Sequence, residues 1–376
     1  MKVITDQSHL HSGLQMAHRA IAGGTAHPIL TGVLLTAQEG ILHLSATDLE
    51  KSIEAVIPAA VEMPGSLVLP GRELSEIVGR IPGGDIEISA PEDRHQAVLS
   101  WRTSEFVLNG YPPDQFPSLP TADGSRSYSV SADDLSRALS KTVFAASNDD
   151  AMPIISGVRL RVGQGRIQAT ATDGYRIAVA EIESDSAEGD IVEVALPRKS
   201  ISDLVRVLAS ALPEEDATLA ISENHVFFEL PGGLKFSTVI LEGQYPDVLS
   251  MVPAPGDYGT KVLFDREEFA GATSRTSLLA EEHRGARPIQ IHVKDDKLIM
   301  RASSAELGEA YDEIMAEIDG PNVDILFQAK YLTEGIRNIS PERVVFSLDD
   351  PESAARLQGE ADSEFYYVVL PMKPRS

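Results

Sequence analysis

The chain contains no cysteine and a single tryptophan, Trp101, among its 376 residues. Without thiols it can form no disulfide, no thiolate nucleophile and no zinc site with cysteine ligands, so its fold should not depend on redox state. Its apolar runs fall short of the roughly 18 residues that a membrane-spanning helix needs, and residues 1–13 lack the basic start and apolar stretch of a signal peptide. We therefore expect a cytoplasmic protein that does not bind membranes.

The familiar signatures of catalysis are missing as well. No glycine is followed by lysine, which excludes a Walker A phosphate loop, and neither G-x-S-x-G nor H-E-x-x-H occurs. The glycines at 163 and 165 are not continued into a dinucleotide-binding G-x-G-x-x-G pattern. We expect no enzyme activity, no metal and no cofactor.

Acidic pairs and grouped histidines leave one alternative open. Paired carboxylates can hold a metal or act as acid and base, and histidines beside them could add ligands. In an acidic chain, loop carboxylates are also simply solvated turns, and we favour that interpretation. The candidates are Asp149-Asp150, Asp295-Asp296, Asp349-Asp350, His9 with His11, and His283 after Glu281 and Glu282.

The charge balance is strongly acidic, with 57 acidic against 32 basic side chains and a net charge of −25. Spread evenly, this charge would repel a polyanion, which argues against a tight, salt-sensitive grip on nucleic acid. Aromatic residues make up only 6% of the chain, and they do not alternate with basic residues as in proteins that stack unpaired bases. Binding of single strands by stacking is therefore not expected.

The sequence repeats itself three times at domain-sized spacing. Each copy has a proline, an apolar strand, a second strand and a short amphipathic helix, and Pro28, Pro153 and Pro288 mark equivalent points about one third of the chain apart. This period is far longer than that of a solenoid and is typical of separate domains. Proline-rich stretches at 109–125 and 242–259 suit connectors. We expect three domains, at 1–122, 126–252 and 258–376.

Short runs rich in Val, Ile, Leu and Phe dominate each third and predict mostly antiparallel sheet. Two helices interrupt the strands in each copy. The first helix follows a capping residue, namely Asp6 or Ser8, Ser131, and Asp265 in the three copies. The predicted fold class is α+β, with three similar domains in which two helices pack on antiparallel sheets.

Basic side chains recur at matching positions of these helices. In the second helices they lie off the apolar stripe, so they could form a positive surface inside an acidic protein. An ordinary solvated face is the alternative, because Glu76, Asp203 and Glu334 share these faces. The basic candidates are Arg19, Arg72, Arg80, Arg137, Lys141, Arg198, Lys199, Arg206, Arg275, Lys330 and Arg337.

Seven short motifs, in order along the whole chain, resemble one known family, the bacterial beta sliding clamp or DNA polymerase III beta subunit. They are HPIL at 27–30, ATDLE at 46–50, FPSLP at 116–120, ATDGYRIAV at 171–179, LPRK at 196–199, EGQYPDV at 242–248 and YVVLPMK at 367–373. The resemblance implies a DNA clamp fold and a head-to-tail homodimer that forms a six-domain ring around duplex DNA. The helices, with the basic residues above, would face the DNA, and the ring would be loaded by a separate ATP-driven machine.

The resemblance also implies a partner groove between the second and third domains. It would receive short linear motifs of the replicative polymerase's catalytic subunit, the clamp loader, other polymerases and repair proteins. An apolar wall with a flexible methionine accepts varied peptides. Carried over residue by residue, the candidate groove consists of Ile155, Thr172, Gly174, Tyr175, Arg176, Ile177, Pro246, Met251, Val252, Tyr331, Val368, Leu370, Pro371 and Met372.

For ring closure, the family pairs an edge strand of the first domain with one of the third and adds a small hydrophobic cluster. Phe106 and Leu108 match the first side, and Leu278 and Leu279 match the second. An edge strand that a second copy completes is a stable use of unpaired backbone groups. The expected assembly is a homodimer.

The chain departs from its relatives near the groove. Tyr175 stands where some have histidine, Ser250 where some have arginine, and Glu352 near an expected apolar position, while residues 374–376 extend beyond the usual end. Two other hypotheses remain at the level of sequence: an acidic scaffold that binds proteins but never DNA, and a hydrolase that uses the paired carboxylates.

Overall fold

The computed structural model describes residues 1–24, 27–91, 95–123, 125–149, 151–209, 216–282 and 285–373. Of the residues singled out in the sequence, Asp150, His283 and the tail 374–376 lie outside this part. The chain divides into two compact units. The first comprises Met1–Ser136, Ser186–Gly189 and Lys199–Ile240, and the second Arg137–Asp185, Asp190–Arg198 and Leu241–Ser376.

The helices follow the predicted pattern of two in each third. Within the described residues there are six α-helices: α1 (Gln7–Ala17), α2 (Gly71–Arg80), α3 (Ala132–Ser140), α4 (Arg198–Leu208), α5 (Arg266–Ser277) and α6 (Ala329–Arg337). The three capping predictions are confirmed. Asp6 accepts a hydrogen bond from the Ser8 amide at 2.8 Å, Ser131 from Asp134 at 3.2 Å and Asp265 from Glu268 at 2.9 Å.

The strands of the first third and the start of the second account for ten elements. They are β1 (Lys2–Asp6), β2 (Gly32–Gln38), β3 (Ile41–Thr47), β4 (Lys51–Pro58), β5 (Ala60–Met63), β6 (Gly65–Pro70), β7 (Asp85–Ser89), β8 (Gln96–Trp101), β9 (Ser104–Asn109) and β10 (Arg126–Ser131).

The remaining described strands lie in the second and third thirds. They are β11 (Gly157–Gly163), β12 (Arg166–Thr172), β13 (Arg176–Glu183), β14 (Val192–Pro197), β15 (Asp216–Ile221), β16 (His225–Leu230), β17 (Leu234–Val239), β18 (Thr260–Asp265), β19 (Pro288–Lys294), β20 (Lys297–Ser304), β21 (Gly308–Asp319), β22 (Val323–Gln328), β23 (Arg343–Leu348), β24 (Ala355–Gly359) and β25 (Phe365–Val369).

The first unit contains two antiparallel sheets. One has the order β5-β1-β7-β8-β9, and the other β10-β15-β16-β17-β4-β3-β2-β6. In the larger sheet, β4 of the first repeat pairs with β17 of the second, with Ser52 opposite Ser237. The hydrogen-bonded ladder therefore crosses the junction between the first two repeats.

The second unit contains one twelve-stranded antiparallel sheet. Its order is β14-β11-β12-β13-β25-β24-β23-β18-β21-β20-β19-β22. Here β13 of the second repeat pairs with β25 of the third, and Ile177 lies opposite Val368. The same kind of strand pairing thus joins the second and third repeats.

Apolar stripes on the helices form the cores against these sheets. Leu74 and Val78 of α2 are fully buried, as are Leu332 and Ile336 of α6, in line with the spacing predicted from the sequence. Burying each such side chain contributes about 1.5–3 kcal/mol. Within the described residues, no helix is both long and apolar enough to cross a membrane.

Candidate functional site

The candidate groove is built around a tight turn at 172–176. The Thr172 hydroxyl donates to the Arg176 carbonyl at 2.7 Å and accepts from the Gly174 amide at 3.0 Å. The Asp173 carboxylate accepts from the amides of Tyr175 and Arg176 at 3.0 and 3.2 Å. Gly174 has φ of 87°, in the left-handed region that glycine adopts without strain. The turn leaves the Tyr175 side chain 62% exposed, as its position after a turn suggests.

Arg176 is the buried centre of this region. Its Nε donates to Asp173 at 2.9 Å, its Nη1 to Glu334 of α6 and its Nη2 to the carbonyl of Phe144 at 3.1 Å. The guanidinium also lies over two rings, 5.5 Å from the centroid of Phe144 and 4.6 Å from that of Tyr331. Arg176 is therefore not a free cation that could orient a ligand, because its guanidinium is fully engaged by these hydrogen bonds and ring contacts.

These contacts shift the acid–base properties of the region. Burial lowers the pKa of Arg176, but the carboxylates of Glu334 and Asp173 raise it by more, so the pKa ends above its ordinary value. Burial raises the pKa of Tyr367 well above its usual range, although Arg176 opposes this. Arg176 is a permanent cation and Tyr367 a permanent neutral donor at any physiological pH.

Helix α6 approaches the sheet closely at this point. A side chain at Gly335 would meet the Tyr367 ring at 2.4 Å, so glycine is needed for the contact. The Tyr367 hydroxyl donates to the Tyr331 carbonyl at 3.0 Å. Tyr331 in turn stacks with Tyr175, with ring centroids 6.4 Å apart. The exposed ring of Tyr175 is thus connected to the core through α6.

The chain after β25 completes the region through backbone hydrogen bonds. The Leu370 amide donates to the Tyr175 carbonyl at 2.9 Å, and the Met372 amide to the Leu326 carbonyl at 2.7 Å. These bonds fix a segment that would otherwise be a free end of the sheet. The residues of YVVLPMK therefore lie beside the 172–176 turn.

Burial separates the fourteen candidate groove residues into classes. Ile155, Thr172, Arg176 and Val368 are buried, so their side chains support the surface rather than form it. Ile177, Val252, Tyr331, Pro371 and Met372 are half-buried. Five are exposed, namely Gly174, Tyr175, Pro246, Met251 at 77% and Leu370 at 42%.

Sequence reasoning missed two residues of this site. Phe144 carries a carbonyl and a ring against Arg176, and Glu334 supplies its principal carboxylate. Glu334 was noted only as an acidic neighbour of basic residues on α6. Comparison of the repeats could have found Glu334. Asp203 holds the matching position on α4 and contacts Lys51, the residue equivalent to Arg176.

Ser250 and Glu352, two of the departures from the family pattern, lie in a short 3₁₀ helix and in a turn, respectively. The Ser250 hydroxyl is exposed and donates to the Asp247 carbonyl at 2.8 Å. Glu352 is exposed, and its amide donates to the Asp350 carboxylate at 2.7 Å. Hydrogen bonds from Ser353 and Glu352 lower the pKa of Asp350. Both residues therefore present polar groups at the surface.

Exposed strand edges occur in both units. In the first unit, β9 pairs with β8 and forms the end of its sheet, with Phe106 37% and Val107 56% exposed. In the second unit, residues 308–315 of β21 pair with β20 on one side only, whereas residues 316–319 pair with β18. Leu278 at the end of α5 is 67% exposed, and Leu279 is half-buried. Each edge thus combines unpaired backbone with apolar side chains.

Most of the basic candidates are held by carboxylates. Arg72 and Arg80 share Glu76 at 3.2 and 3.8 Å, and Arg275 donates to Asp312 at 2.8 Å. Arg137 contacts Glu364 at 2.9 Å, Arg206 contacts Asp203 at 3.4 Å, and Lys330 contacts Glu334 at 3.9 Å. Arg198 has a partner as well. The basic faces are therefore largely neutralised.

The other basic candidates differ in position. Arg19 and Lys141 lie just beyond α1 and α3, and the Lys141 ammonium sits 5.7 Å from the Phe365 ring centroid. Lys199 and Arg337 are exposed, and neither has a carboxylate within 4.0 Å among the described residues. These two are the cations most available to a polyanion.

The carboxylate pairs lie in turns, as favoured from the sequence. Asp295 and Asp296 both have positive φ, 51° and 58°, in the turn between β19 and β20. Across the described ranges, no group of three or more His, Asp or Glu side chains is placed to hold a metal ion. Asp150, the second residue of the Asp149-Asp150 pair, lies outside these ranges.

Three family models cover almost the whole chain. The N-terminal domain of the DNA polymerase III beta subunit matches residues 1–120, the central domain 129–247 and the C-terminal domain 253–373. The chain belongs to the DNA polymerase III beta subunit family. This membership confirms the resemblance and the three-domain clamp fold, and it makes the chain a sliding clamp without catalysis of its own.

Relatives in this family match from end to end. The beta sliding clamp of Synechococcus elongatus is 29% identical with all of both chains covered, and that of Staphylococcus aureus is 30% identical over 94% of each. The DNA polymerase sliding clamp of Bacillus subtilis superposes with a TM-score of 0.93 at 28% identity over the full length of both chains.

Some of the related clamp structures carry a bound ligand. The sliding clamp of Pseudomonas aeruginosa bound to griselimycin superposes with a TM-score of 0.92, at 28% identity and full coverage of both chains.

The hydrolase hypothesis was raised from the paired carboxylates. It is rejected, because the chain belongs to the beta subunit family, which is not catalytic.

Proposed function

We propose that two copies of this chain join head to tail into a ring of six domains, at 1–122, 126–252 and 258–376 of each copy, that encloses duplex DNA and slides along it. Family membership is the observation that carries this proposal. The ring tethers the replicative DNA polymerase and works in the bacterial cytoplasm, where replication takes place.

The exposed sheet edges support the closure of the ring. Unpaired strand edges with apolar side chains are aggregation hazards unless another chain covers them. Pairing β9 of one copy with residues 308–315 of β21 in its partner would satisfy both edges at once. Phe106 and Leu108 then meet Leu278 and Leu279, and the interface is repeated at the other end of the dimer.

The state of the basic residues supports sliding rather than tight binding. A protein that neutralises few phosphates has low affinity and a weak dependence on salt. Six of the proposed DNA-facing cations have an intramolecular carboxylate partner within 4.0 Å. Lys199 and Arg337 remain available for transient phosphate contacts. Enclosure, not affinity, would keep the ring on DNA.

The exposed part of the candidate groove supports the recognition of linear motifs. Tyr175, Met251 and Leu370 offer apolar surface, and the adjacent strand end offers backbone groups. A flexible methionine and an exposed aromatic ring suit peptides of different shape. The proposed partners are the catalytic subunit of the replicative polymerase, the clamp loader, and other polymerases and repair proteins.

The ring is tested by measuring how well the loaded chain is retained on circular and on linear duplex DNA. After loading with a bacterial clamp loader, the chain should remain on a closed circular duplex and run off a linear duplex of the same sequence. Equal loss from both would overturn enclosure. Light scattering provides the companion measurement, and a single species at the chain mass of 40.5 kDa would overturn the dimer.

A further inference from the structure

The turn that builds the candidate groove occurs a second time in the first unit. The Thr47 hydroxyl donates to the Lys51 carbonyl at 2.8 Å and accepts from the Leu49 amide at 3.0 Å. The Asp48 carboxylate accepts from the amides of Glu50 and Lys51 at 3.0 and 2.9 Å. These bonds match those of the 172–176 turn, so the first two repeats meet in the same way as the last two.

Both turns end in a basic residue, Lys51 in the first and Arg176 in the second. Lys51 contacts Asp48 at 3.1 Å and Asp203 of α4 at 3.0 Å, just as Arg176 contacts Asp173 and Glu334 of α6. Burial lowers the pKa of Lys51, but Asp48 and Asp203 raise it by more. The first junction therefore has the same fixed frame as the groove, inside a single compact unit.

A pocket of about 320 Å³ opens at this first junction. It is lined by β4, β15, β16 and β17 and by the connector residues 120–123. The register places Ser52 and Ser237, both lining the pocket, where Ile177 and Val368 stand at the second junction. Two apolar groove positions are thus hydroxyls here.

The next row along the sheet carries charge. Glu54 lies opposite Lys235, and Lys235 opposite Glu229, and all three line the pocket together with Asp123. The matching row at the second junction is Val179, Tyr366 and Gln358, which has no carboxylate. We name the first-junction site, defined by Ser52, Glu54, Asp123, Phe227, Glu229 and Lys235, the acidic pocket.

The carboxylates of the acidic pocket form no ion pair with other described residues, and Asp123 accepts a hydrogen bond from the Thr121 hydroxyl at 2.9 Å. Among the described residues, Lys235 has no carboxylate within 4.0 Å, so it does not pair with Glu54 or Glu229. Phe227 adds a half-buried ring, and Pro120 and Ala122 add apolar surface. A guanidinium or ammonium group gains both from carboxylates and from an aromatic face.

We propose that the acidic pocket is a second docking site, for a short peptide segment of a partner protein with an arginine or lysine beside small apolar residues. Three carboxylates against one lysine, with an aromatic wall in a cavity of side-chain size, select a cationic group over an anionic one. The groove at the second junction would select apolar motifs, so one chain could hold two partners of different chemistry.

The test uses the full-length chain and a defined probe. The probe is an acetylated hexapeptide amide, Gly-Ala-Arg-Ala-Arg-Gly, and the matched peptide has glutamate in place of both arginines. NMR of the ¹⁵N-labelled protein should show saturable shifts at the amides of Ser52, Phe227 and Ser237 with the arginine peptide only. Shifts confined to the 172–176 turn, or equal binding of both peptides, would overturn the proposal.

Variants separate the acidic pocket from general electrostatics and from the groove. Glu54→Gln with Glu229→Gln should weaken the arginine peptide roughly fivefold, and Phe227→Leu about threefold. Glu223→Gln removes one exposed carboxylate of the same unit outside the pocket and should leave the affinity unchanged. Tyr175→Ala should also leave it unchanged, so failure of the groove proposal would not affect this result. If Glu223→Gln weakened the arginine peptide equally, the effect would come from net charge alone, and the proposal of the acidic pocket would be overturned.

Discussion

The guanidinium carbon of Arg176 lies 4.6 Å from the centroid of the Tyr331 ring, so a buried cation supports the aromatic part of the candidate groove. The same guanidinium binds Asp173 on its own turn and Glu334 on α6. One side chain thereby connects the turn that exposes Tyr175 with the helix that carries Tyr331. The shape of the groove and the stability of the second unit should depend on it together.

Arg176→Met should destabilise the protein by about 3 kcal/mol, because it leaves two carboxylates without their buried partner. Chemical denaturation, read as a change in midpoint, measures the effect. Lys330→Met is the matched control, since Lys330 reaches the same Glu334 at 3.9 Å from an exposed position. That variant should cost less than about 1 kcal/mol. Equal effects of the two variants would contradict a central role for Arg176.

Tyr175→Ala should weaken the binding of a clamp-binding motif peptide roughly tenfold and leave stability within about 0.5 kcal/mol of the parent chain. The reason is that the ring is 62% exposed and packs mainly on Tyr331. Fluorescence anisotropy with a labelled polymerase motif measures the affinity. Met63→Ala, half exposed in the first unit, is the control and should change neither quantity. Unchanged affinity in Tyr175→Ala would remove this residue from the groove.

Phe106→Arg should convert the dimer to monomers, because it places a charge where two edge strands and their apolar side chains would meet. Leu278→Arg should do the same from the other side. Light scattering at matched concentration gives the mass. Met63→Arg provides a control on β5, the opposite edge of the same sheet, and should remain dimeric. Dimers of unchanged stability in both interface variants would place the contact elsewhere.

Lys199→Ala and Arg337→Ala should each reduce the salt dependence of duplex binding by about 0.9 in the log–log slope, because each removes one available phosphate contact. Arg275→Ala should change the slope less, since its guanidinium is held by Asp312 at 2.8 Å. The measurement is affinity for a short duplex across a series of salt concentrations. The same slope change in all three variants would show that intramolecular pairing does not matter.

The cap of α1 should make stability depend on pH in the acid range. Hydrogen bonds from Ser8 lower the pKa of Asp6 in the folded protein. A lowered folded pKa gives stabilisation that is fully present above the unfolded value of about 3.9 and lost as the pH falls through the folded value. The stability difference between the parent chain and Asp6→Asn should therefore shrink from pH 7 to pH 3. Ser8→Ala should shift the acid loss toward higher pH, and no such shift would refute the assigned cause.

Much of the fold could be read from the sequence because it depends on local pattern. The spacing of Leu74 and Val78, the caps Asp6 and Asp265, and the alternating strands each act within a few residues. The exposure of Tyr175 also followed from its place after a tight turn. The partnership of Arg176 with Phe144 and Glu334 did not, since these residues are 32 and 158 positions away.

The sequence by itself determined three repeats, two helices in each, the positions of the turns and the family. Only the tertiary structure decided which charges are available, because ion pairs such as Arg275 with Asp312 depend on distances between elements. It also decided that Lys51 and Arg176 form equivalent ion pairs at the two junctions between repeats. The neighbouring residues differ, because Ser52 and Ser237 stand where Ile177 and Val368 stand at the second junction. Register across strands sets that difference, and register is a property of paired chains rather than of either strand alone.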